Sequence, residues 1–347
     1  MKYKLLGKSG MRVSELGLGT MTFGKEWGWG ASKTESRKMF DAFVKAGGNF
    51  IDTANRYTDG TSEKFVGDFI SRDREHFVLA TKFTLFTRRD DPNYSGNHRK
   101  NMVQSLEASL KRLGTDYVDL YWLHAWDFTT PVDEVMRALD DVVRQGKVLH
   151  IGISDTPAWI VSQANTLADL RGWASFVGLQ IRYSLIDRTA EADLLPMARA
   201  FDLAVTPWSV LGAGVLTGKY LQKTPPKQGR AKDGAAKDKR NLAIAKVAVS
   251  VAHDLGCTPS QVAIAWVRQQ PGVIVPLIGA RTLAQLEDNL GALGVTLSDD
   301  HLNQLDEASR VDLGFPHNFL STDAIRDLIY GGTYGDIRNH RRTHSGE

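Results

Sequence analysis

The sequence predicts an α/β fold of the (β/α)8 TIM-barrel class. Length is the first observation: 347 residues suit one large barrel or two smaller domains. The second is an alternation of eight short apolar runs, rich in β-branched residues, with segments of helical period. The third is a missing fingerprint. An open doubly wound sheet would carry G-x-G-x-x-G directly after its first strand, whereas Leu16-Gly-Leu-Gly-Thr20 runs on as Met21-Thr-Phe-Gly24.

Ahead of the barrel, Tyr3–Leu6 and Arg12–Ser14 flank Gly7–Gly10 and predict an N-terminal β-hairpin closing the floor. The strands are expected at Leu16–Gly19, Asn49–Thr53, Phe77–Thr81, Tyr117–Leu123, Val148–Ile153, Phe176–Ile181, Leu203–Pro207 and Val273–Ile278. Both faces of these runs are apolar, as in a parallel sheet covered by helices. Helices are expected over Lys33–Ala46, Lys100–Leu113, Val132–Gln145, Pro157–Leu170 and Glu191–Ala200. Asp133 just after Pro131 marks one helix start and the Ser62/Glu63 pair another, while Gly47-Gly48 and Gly146 stand where C-caps belong. Two helical segments, Asn241–Leu255 and Pro259–Gln269, precede the eighth strand. The reading is a single domain over residues 1–347: a core at about 3–310, then a C-terminal extension and tail over 311–347.

Three segments break the barrel rhythm: Thr84–Arg99, Leu211–Arg240 and the tail from Leu297. Long loops at the C-terminal face of such a barrel are where active sites are built. The net charge is +3, too small for a dedicated nucleic-acid binder. Lys219–Arg240 alone holds Lys219, Lys223, Lys227, Arg230, Lys232, Lys237, Lys239 and Arg240 against Asp233 and Asp238, so one loop sets the sign of the whole chain. That loop reads either as a clasp for an anionic ligand or as a solvated surface. No apolar run is long enough for a membrane span, and the basic but not continuously apolar start of the sequence leads us to expect no secretion signal. Cys257 is the only cysteine, which excludes an intrachain disulfide and suits a cytoplasmic location. His340-Arg-Arg-Thr-His344 lacks the cysteine pair of a zinc site, so no metal is expected.

The chemistry lies at the strand ends. Asp52 ends the second strand, Tyr57 follows five residues on, Lys82 ends the third and His124 the fourth. An unperturbed tyrosine, with a pKa near ~10, is a weak proton donor at neutral pH. A lysine ammonium beside it should lower that value, and Asp52 should keep Lys82 charged and in place. His124 can orient a carbonyl oxygen through a ring N–H or relay a proton. No side chain supplies hydride, so reduction by this set implies a nicotinamide cofactor.

Asp52-Thr-Ala-Asn-Arg-Tyr57, Lys82 and Tyr121-Trp-Leu-His124 resemble the catalytic motifs of the aldo-keto reductases, in particular an aryl-alcohol-dehydrogenase-like bacterial branch. Later segments extend the resemblance from about Tyr3 to Arg341. Gly152-Ile-Ser-Asp155 and Gln180-Ile-Arg-Tyr183 are similar to the segments that hold the nicotinamide carboxamide, which implies contacts from Ser154, Asp155 and Gln180. Trp208-Ser-Val-Leu-Gly-Ala-Gly-Val-Leu-Thr-Gly-Lys-Tyr220 resembles the stretch covering the pyrophosphate, implying Trp208, Ser209, Val210, Leu211, Gly212, Gly214, Gly218 and Lys219. Gly279, Arg281, Gln285, Asp288 and Asn289 match the segment gripping the adenosine phosphate and adenine, and Gly19, Thr20, Met21 and Asp52 complete the implied contacts. Residue chemistry points the same way. The glycines admit close backbone approach to phosphate, Lys219 adds charge, and Arg281 offers a planar fork beside a helix starting at Thr282 whose N-terminus favours an anion. NADP(H) is therefore expected over NAD(H), with NAD(H) possible. The sequence departs from the family pattern at Asp155 (usually Asn), Trp208 (usually Tyr), Arg182 and Val210.

For the substrate, Phe23, Trp27, Trp29, Phe86 and Trp126 are candidate pocket walls suited to a bulky, aromatic or alicyclic aldehyde or ketone and its alcohol. Two alternatives stand beside this reading: an NADP(H)-binding regulatory subunit with little turnover, and a Schiff-base lyase using Lys82. The second needs a neutral lysine, which Asp52 opposes. Monomer and homo-oligomer both remain open.

Overall fold

The structure, a computed structural model, describes residues 1–222 and 234–338. The expected hairpin is present: β1 (Tyr3–Leu5) pairs antiparallel with β2 (Arg12–Ser14). Its turn needs glycine at Gly7, where φ is +55° and a Cβ would meet the Val177 carbonyl oxygen at 2.4 Å.

Parallel strands follow in one curved sheet: β3 (Gly17–Gly19), β4 (Phe50–Asp52), β5 (Val78–Phe83), β6 (Val118–Leu123), β7 (Val148–Ser154), β8 (Phe176–Gln180), β9 (Ala204–Val205) and β10 (Leu277–Ile278). Each pairs with the next up to β9, and β10 pairs with β3. The remaining seam is closed by Val205 and Ile274: the Val205 N–H donates to Val273 O at 2.7 Å, and the Val275 N–H to Val205 O at 2.8 Å. The (β/α)8 barrel of the sequence reading is thus formed. Its last two strands are shorter than expected because Pro207 and Pro276 carry no N–H and interrupt the ladder.

Helices pack outside the sheet: α1 (Lys33–Lys45), α2 (Thr61–Ile70), α3 (Arg99–Leu113), α4 (Val132–Arg144), α5 (Ala158–Arg171), α6 (Leu194–Ala200), α7 (Lys239–Asp254), α8 (Pro259–Arg268), α9 (Leu283–Gly291) and α10 (Asp299–Ser309). In α4, Val135, Met136, Leu139 and Val142 are buried, the spacing of one helical face. α6 starts later than expected because Glu191 ends a separate 3-10 turn and Asp193 leaves helical geometry at φ −141°.

The barrel interior is filled, not open. Phe50, Val78, Ala80, Leu120, Val177, Ala204 and Leu277 pack there around the fully buried Trp122. Two glycines make room for that indole: a Cβ on Gly152 would lie 2.4 Å from the ring, and one on Gly178 at 2.9 Å. Gly152 of the Gly-Ile-Ser-Asp segment therefore has a packing reason.

Arg240 donates to Ser309 O at 2.8 Å and ties down the end of α10, so this member of the basic loop is structural and no part of a clasp. Beyond it, α11 (His317–Leu320) and α12 (Asp323–Tyr330) leave Phe315 83% and Leu328 78% exposed. Lys223, Lys227, Arg230, Lys232 and Asp233, and the tail His340–His344, lie outside the described residues. Among the described residues, no helix is long and apolar enough to cross a membrane.

Candidate active site

Successive strands carry one polar residue each to the same end of the barrel. Asp52 is the last residue of β4, Ser154 of β7 and Gln180 of β8, and His124 follows β6. Lys82 lies inside β5, one residue before its end, and not at the strand boundary expected from sequence. Tyr57 opens a 3-10 turn whose Thr58 and Asp59 stand at φ +46° and +54°. The Thr58 hydroxyl holds that turn by donating to Phe23 O at 2.6 Å.

Lys82 is fully buried, and its ammonium spends all three donors: on Asp52 Oδ1, on Thr53 O at 2.8 Å and on the Tyr57 hydroxyl oxygen at 3.2 Å. The other Asp52 oxygen accepts from Gln180 Nε2 at 3.0 Å. The His124 ring meets Tyr57 edge-on, with centroids 5.9 Å apart, and its buried Nδ1 has no protein partner. The four sequence candidates therefore converge. The Tyr57 oxygen accepts from Lys82, and among the described residues its own O–H has no acceptor.

Electrostatics revise one expectation. Burial pushes the Tyr57 phenol above its ordinary value; Lys82 opposes this, while Asp52 and Asp155 reinforce it, so the net direction is up and not down. Burial also works against the Lys82 ammonium, but Asp52 and Tyr57 outweigh it and Lys82 is raised. Burial, aided by Lys82, holds His124 well below 6.5, as a neutral imidazole. The set is a charged lysine, a protonated phenol and a neutral histidine.

Beside it, β7–β9 form a second wall. Gln180 Nε2 also donates to Thr206 Oγ1 at 3.3 Å, so only its carbonyl oxygen remains for a ligand N–H. Ser154 is buried. Asp155 stands at φ +40° and accepts from the Trp208 indole N–H at 3.2 Å. Arg182 lies 5.8 Å over the Trp208 ring and pairs with Asp187. Three departures from the family pattern thus form one cluster. Desolvation raises Asp155 above the usual carboxylate value, opposed by the Trp208 N–H, Lys82 and Arg182.

The loop from Trp208 has the conformations that glycine permits. Gly212, Gly214 and Gly218 stand at φ +54°, +92° and +76°, and Ser209 at +59°. A Cβ on Gly214 would meet Lys219 Nζ at 2.8 Å, so the ammonium lies directly against the loop backbone. Val210 is buried while Leu211 is half-buried, and the loop fits a phosphate-bearing group through backbone and Lys219 rather than through these side chains. Arg281 is half-exposed, and its side chain has no partner among the described residues. Met21 is half-buried; Gly19 ends β3 and Gly279 follows β10, and a Cβ on either would stand in ordinary contact with the other segment, at 3.6 Å from Ile278 O and 3.5 Å from Gly19 O.

Several expected contacts are used otherwise. Thr20 is fully buried, and its N–H and hydroxyl both donate to Asp52 O at 2.9 Å; it holds β4 in place and does not face the mouth. Asp288 accepts from Thr258 at 2.8 Å and Gln261 at 3.1 Å, joining α9 to α8. Gln285 Oε1 accepts from the Arg281 N–H at 3.0 Å, and Asn289 Nδ2 reaches Gly279 O at 3.5 Å, so both steady the loop carrying Arg281. The anion at the N-terminus of α9 is already a protein group: Glu35 accepts from the Leu283 N–H at 2.8 Å.

One wall of the mouth is a ladder of rings and guanidiniums. Arg56 lies 4.5 Å from the Phe86 ring and 5.5 Å from Trp27, Trp27 is 5.8 Å from Trp29, and Arg89 is 4.6 Å from Phe86 on its outer end. Asp59 pairs with Arg56. Trp126 is half-buried near the mouth, its N–H reaching Asp155 O at 3.4 Å. Phe23 does not belong to this wall: it is 1% exposed and packs edge-on against Phe69 in the core. Arg56 escaped the sequence reading, since only the meeting of three loops shows what it touches.

Comparison with known proteins agrees with this geometry. The aldo/keto reductase family model matches residues 15–310. The norsolorinic acid reductase of Aspergillus flavus is 38% identical over 96% of this chain and 87% of its own length. The aryl-alcohol dehydrogenase (NADP+) of Phanerodontia chrysosporium is 36% identical over 92% of this chain and 89% of its own. An aldo-keto reductase of Aspergillus calidoustus is 36% identical over 93% and 85%.

Proposed function

The chain belongs to the aldo/keto reductase family, and we propose that it reversibly reduces a bulky aromatic or alicyclic aldehyde or ketone to its alcohol with NADPH. One observation carries the reading: a half-buried phenol whose oxygen is held by a lysine ammonium and whose proton is uncommitted. NADPH, when bound, supplies the hydride. Tyr57 gives its proton to the carbonyl oxygen, and Lys82 stabilises the phenolate left behind. Asp52 keeps Lys82 charged and aimed, with Gln180 and Thr20 fixing Asp52 in turn. Neutral His124 orients the carbonyl oxygen through a ring N–H.

Ser154, Asp155 and the Gln180 carbonyl oxygen are proposed for the carboxamide, Trp208 for the ring face, Ser209–Lys219 for the pyrophosphate and Arg281 for the 2′-phosphate. The NADP+ in one relative's name supports that last assignment, and its aryl alcohol agrees with the Trp27–Arg56–Phe86 wall. Residues 3–310 are read as the catalytic barrel domain and 311–347 as its extension. A Schiff base on Lys82 is disfavoured by an ammonium raised in pKa with every donor committed.

The test is a panel of aryl aldehydes and alicyclic ketones followed by loss of NADPH absorbance. No turnover despite tight NADPH binding would move the assignment to a regulatory subunit. The cofactor choice has its own outcome: Arg281→Ala should weaken NADPH about tenfold to a hundredfold and leave NADH unchanged in binding titrations. Equal loss for both cofactors would remove Arg281 from the 2′-phosphate.

A further inference from the structure

Asp155 differs from the asparagine of the family pattern in one respect that matters physically, its charge. Either residue tolerates the left-handed backbone found there. That backbone is fixed on two sides, by the Asp155 N–H donating to Gln180 O at 3.2 Å and by Asp155 O accepting from the Trp126 N–H at 3.4 Å. The carboxylate is fixed as well, by the Trp208 indole N–H at 3.2 Å. It is held but not neutralised. Among the described residues Asp155 makes no ion pair, because Arg182 is taken by Asp187 and Lys82 by Asp52.

The site therefore sets the buried Asp52 and the solvent-exposed Asp155 against one ammonium, with Tyr57 and His124 uncharged, a surplus of one negative charge. A reduced nicotinamide ring is neutral and becomes a cation when its hydride leaves with two electrons. The carbonyl carbon takes that hydride, and its oxygen takes the Tyr57 proton. The hydride donor has to lie against the carbonyl held at Tyr57 and His124. On that side stands the Ser154–Asp155–Gln180–Trp208 wall, which reaches Asp52 through Gln180. The Trp27–Arg56–Phe86 ladder is carried by other loops, those after β3, β4 and β5.

We propose that Asp155 is a specificity-determining residue that makes this site favour the oxidised, cationic nicotinamide over the reduced, neutral one, and so makes the bound cofactor a stronger hydride donor than an asparagine-lined site would. The inference rests on the NADP(H) reading above. A unit charge acting across a half-exposed mouth changes the equilibrium constant for a cationic ligand by about tenfold. Asp155→Asn keeps the shape, the φ tolerance and an acceptor for the Trp208 indole, so the charge alone is removed.

The experiment measures dissociation constants of NADP+ and NADPH by calorimetry for the wild type and Asp155→Asn, at low and at high salt. The expected result is NADP+ weakened about tenfold at low salt with NADPH within about twofold, the difference shrinking as salt screens the charge. Equal weakening of both forms would make Asp155 an ordinary contact and overturn the proposal, as would no change in either. Failure of the wild type to bind either form would overturn the functional reading and this inference with it.

Discussion

Tyr57→Phe should lower turnover with an aryl aldehyde about 10²- to 10⁴-fold while leaving NADPH affinity within about twofold. Phenylalanine keeps the ring and its edge-on contact with His124 and loses only the hydroxyl. That hydroxyl is the one group in the site that is anchored by a cation and still carries an uncommitted proton. General acid catalysis by a positioned side chain is worth roughly that range. No other described group can take over the role: His124 is neutral, and the Lys82 donors are spent on Asp52, Thr53 and Tyr57. Single-turnover NADPH oxidation, paired with a binding titration, is the measurement. A variant with near-normal turnover would place the proton donor elsewhere.

Lys82→Met is expected to be costly twice over. It strips a fully buried carboxylate of its counter-ion, and breaking such a pair from one side destabilises a fold by about 3–5 kcal/mol. It also removes the donor that holds the Tyr57 oxygen and stabilises its phenolate. The two effects separate in a double variant. Asp52→Asn with Lys82→Met removes both charges together and should recover much of the denaturant midpoint, while turnover stays as low as in Lys82→Met alone. If activity returned with stability, Lys82 would be no more than a folding element.

The barrel was legible because parallel strands covered by helices read as continuous apolar runs, and the polar residue ending each run marks the catalytic face. Asp52, Lys82 and His124 stood out for that reason, and Tyr57 by its place five residues after Asp52. What sequence could not weigh was competition within the site. A lysine next to a tyrosine suggests a lowered phenol pKa, yet burial and two carboxylates win. Polar residues that match a binding pattern can also serve the frame: Thr20, just past β3, spends both donors on Asp52, and Asp288 of α9 links two helices. Phe23 looked like part of an aromatic mouth but turns inward to Phe69, and Arg56, silent in sequence, joins Trp27 to Phe86. The α9 N-terminus, expected to await a phosphate, already meets Glu35, 248 positions away. Each of these depends on residues far apart in the chain.

The central claim is that Tyr57, and not His124, holds the proton that is transferred. The pH dependence of aryl-aldehyde reduction tests it directly. Tyr57 is raised above 10 and His124 lowered well below 6.5, so neither titrates between them. Reduction needs the protonated phenol, so kcat should stay level from about pH 7 to pH 9.5 and fall only as pH rises past 10. A kcat that falls as pH rises through the ordinary histidine range would put the proton on His124 and contradict the account.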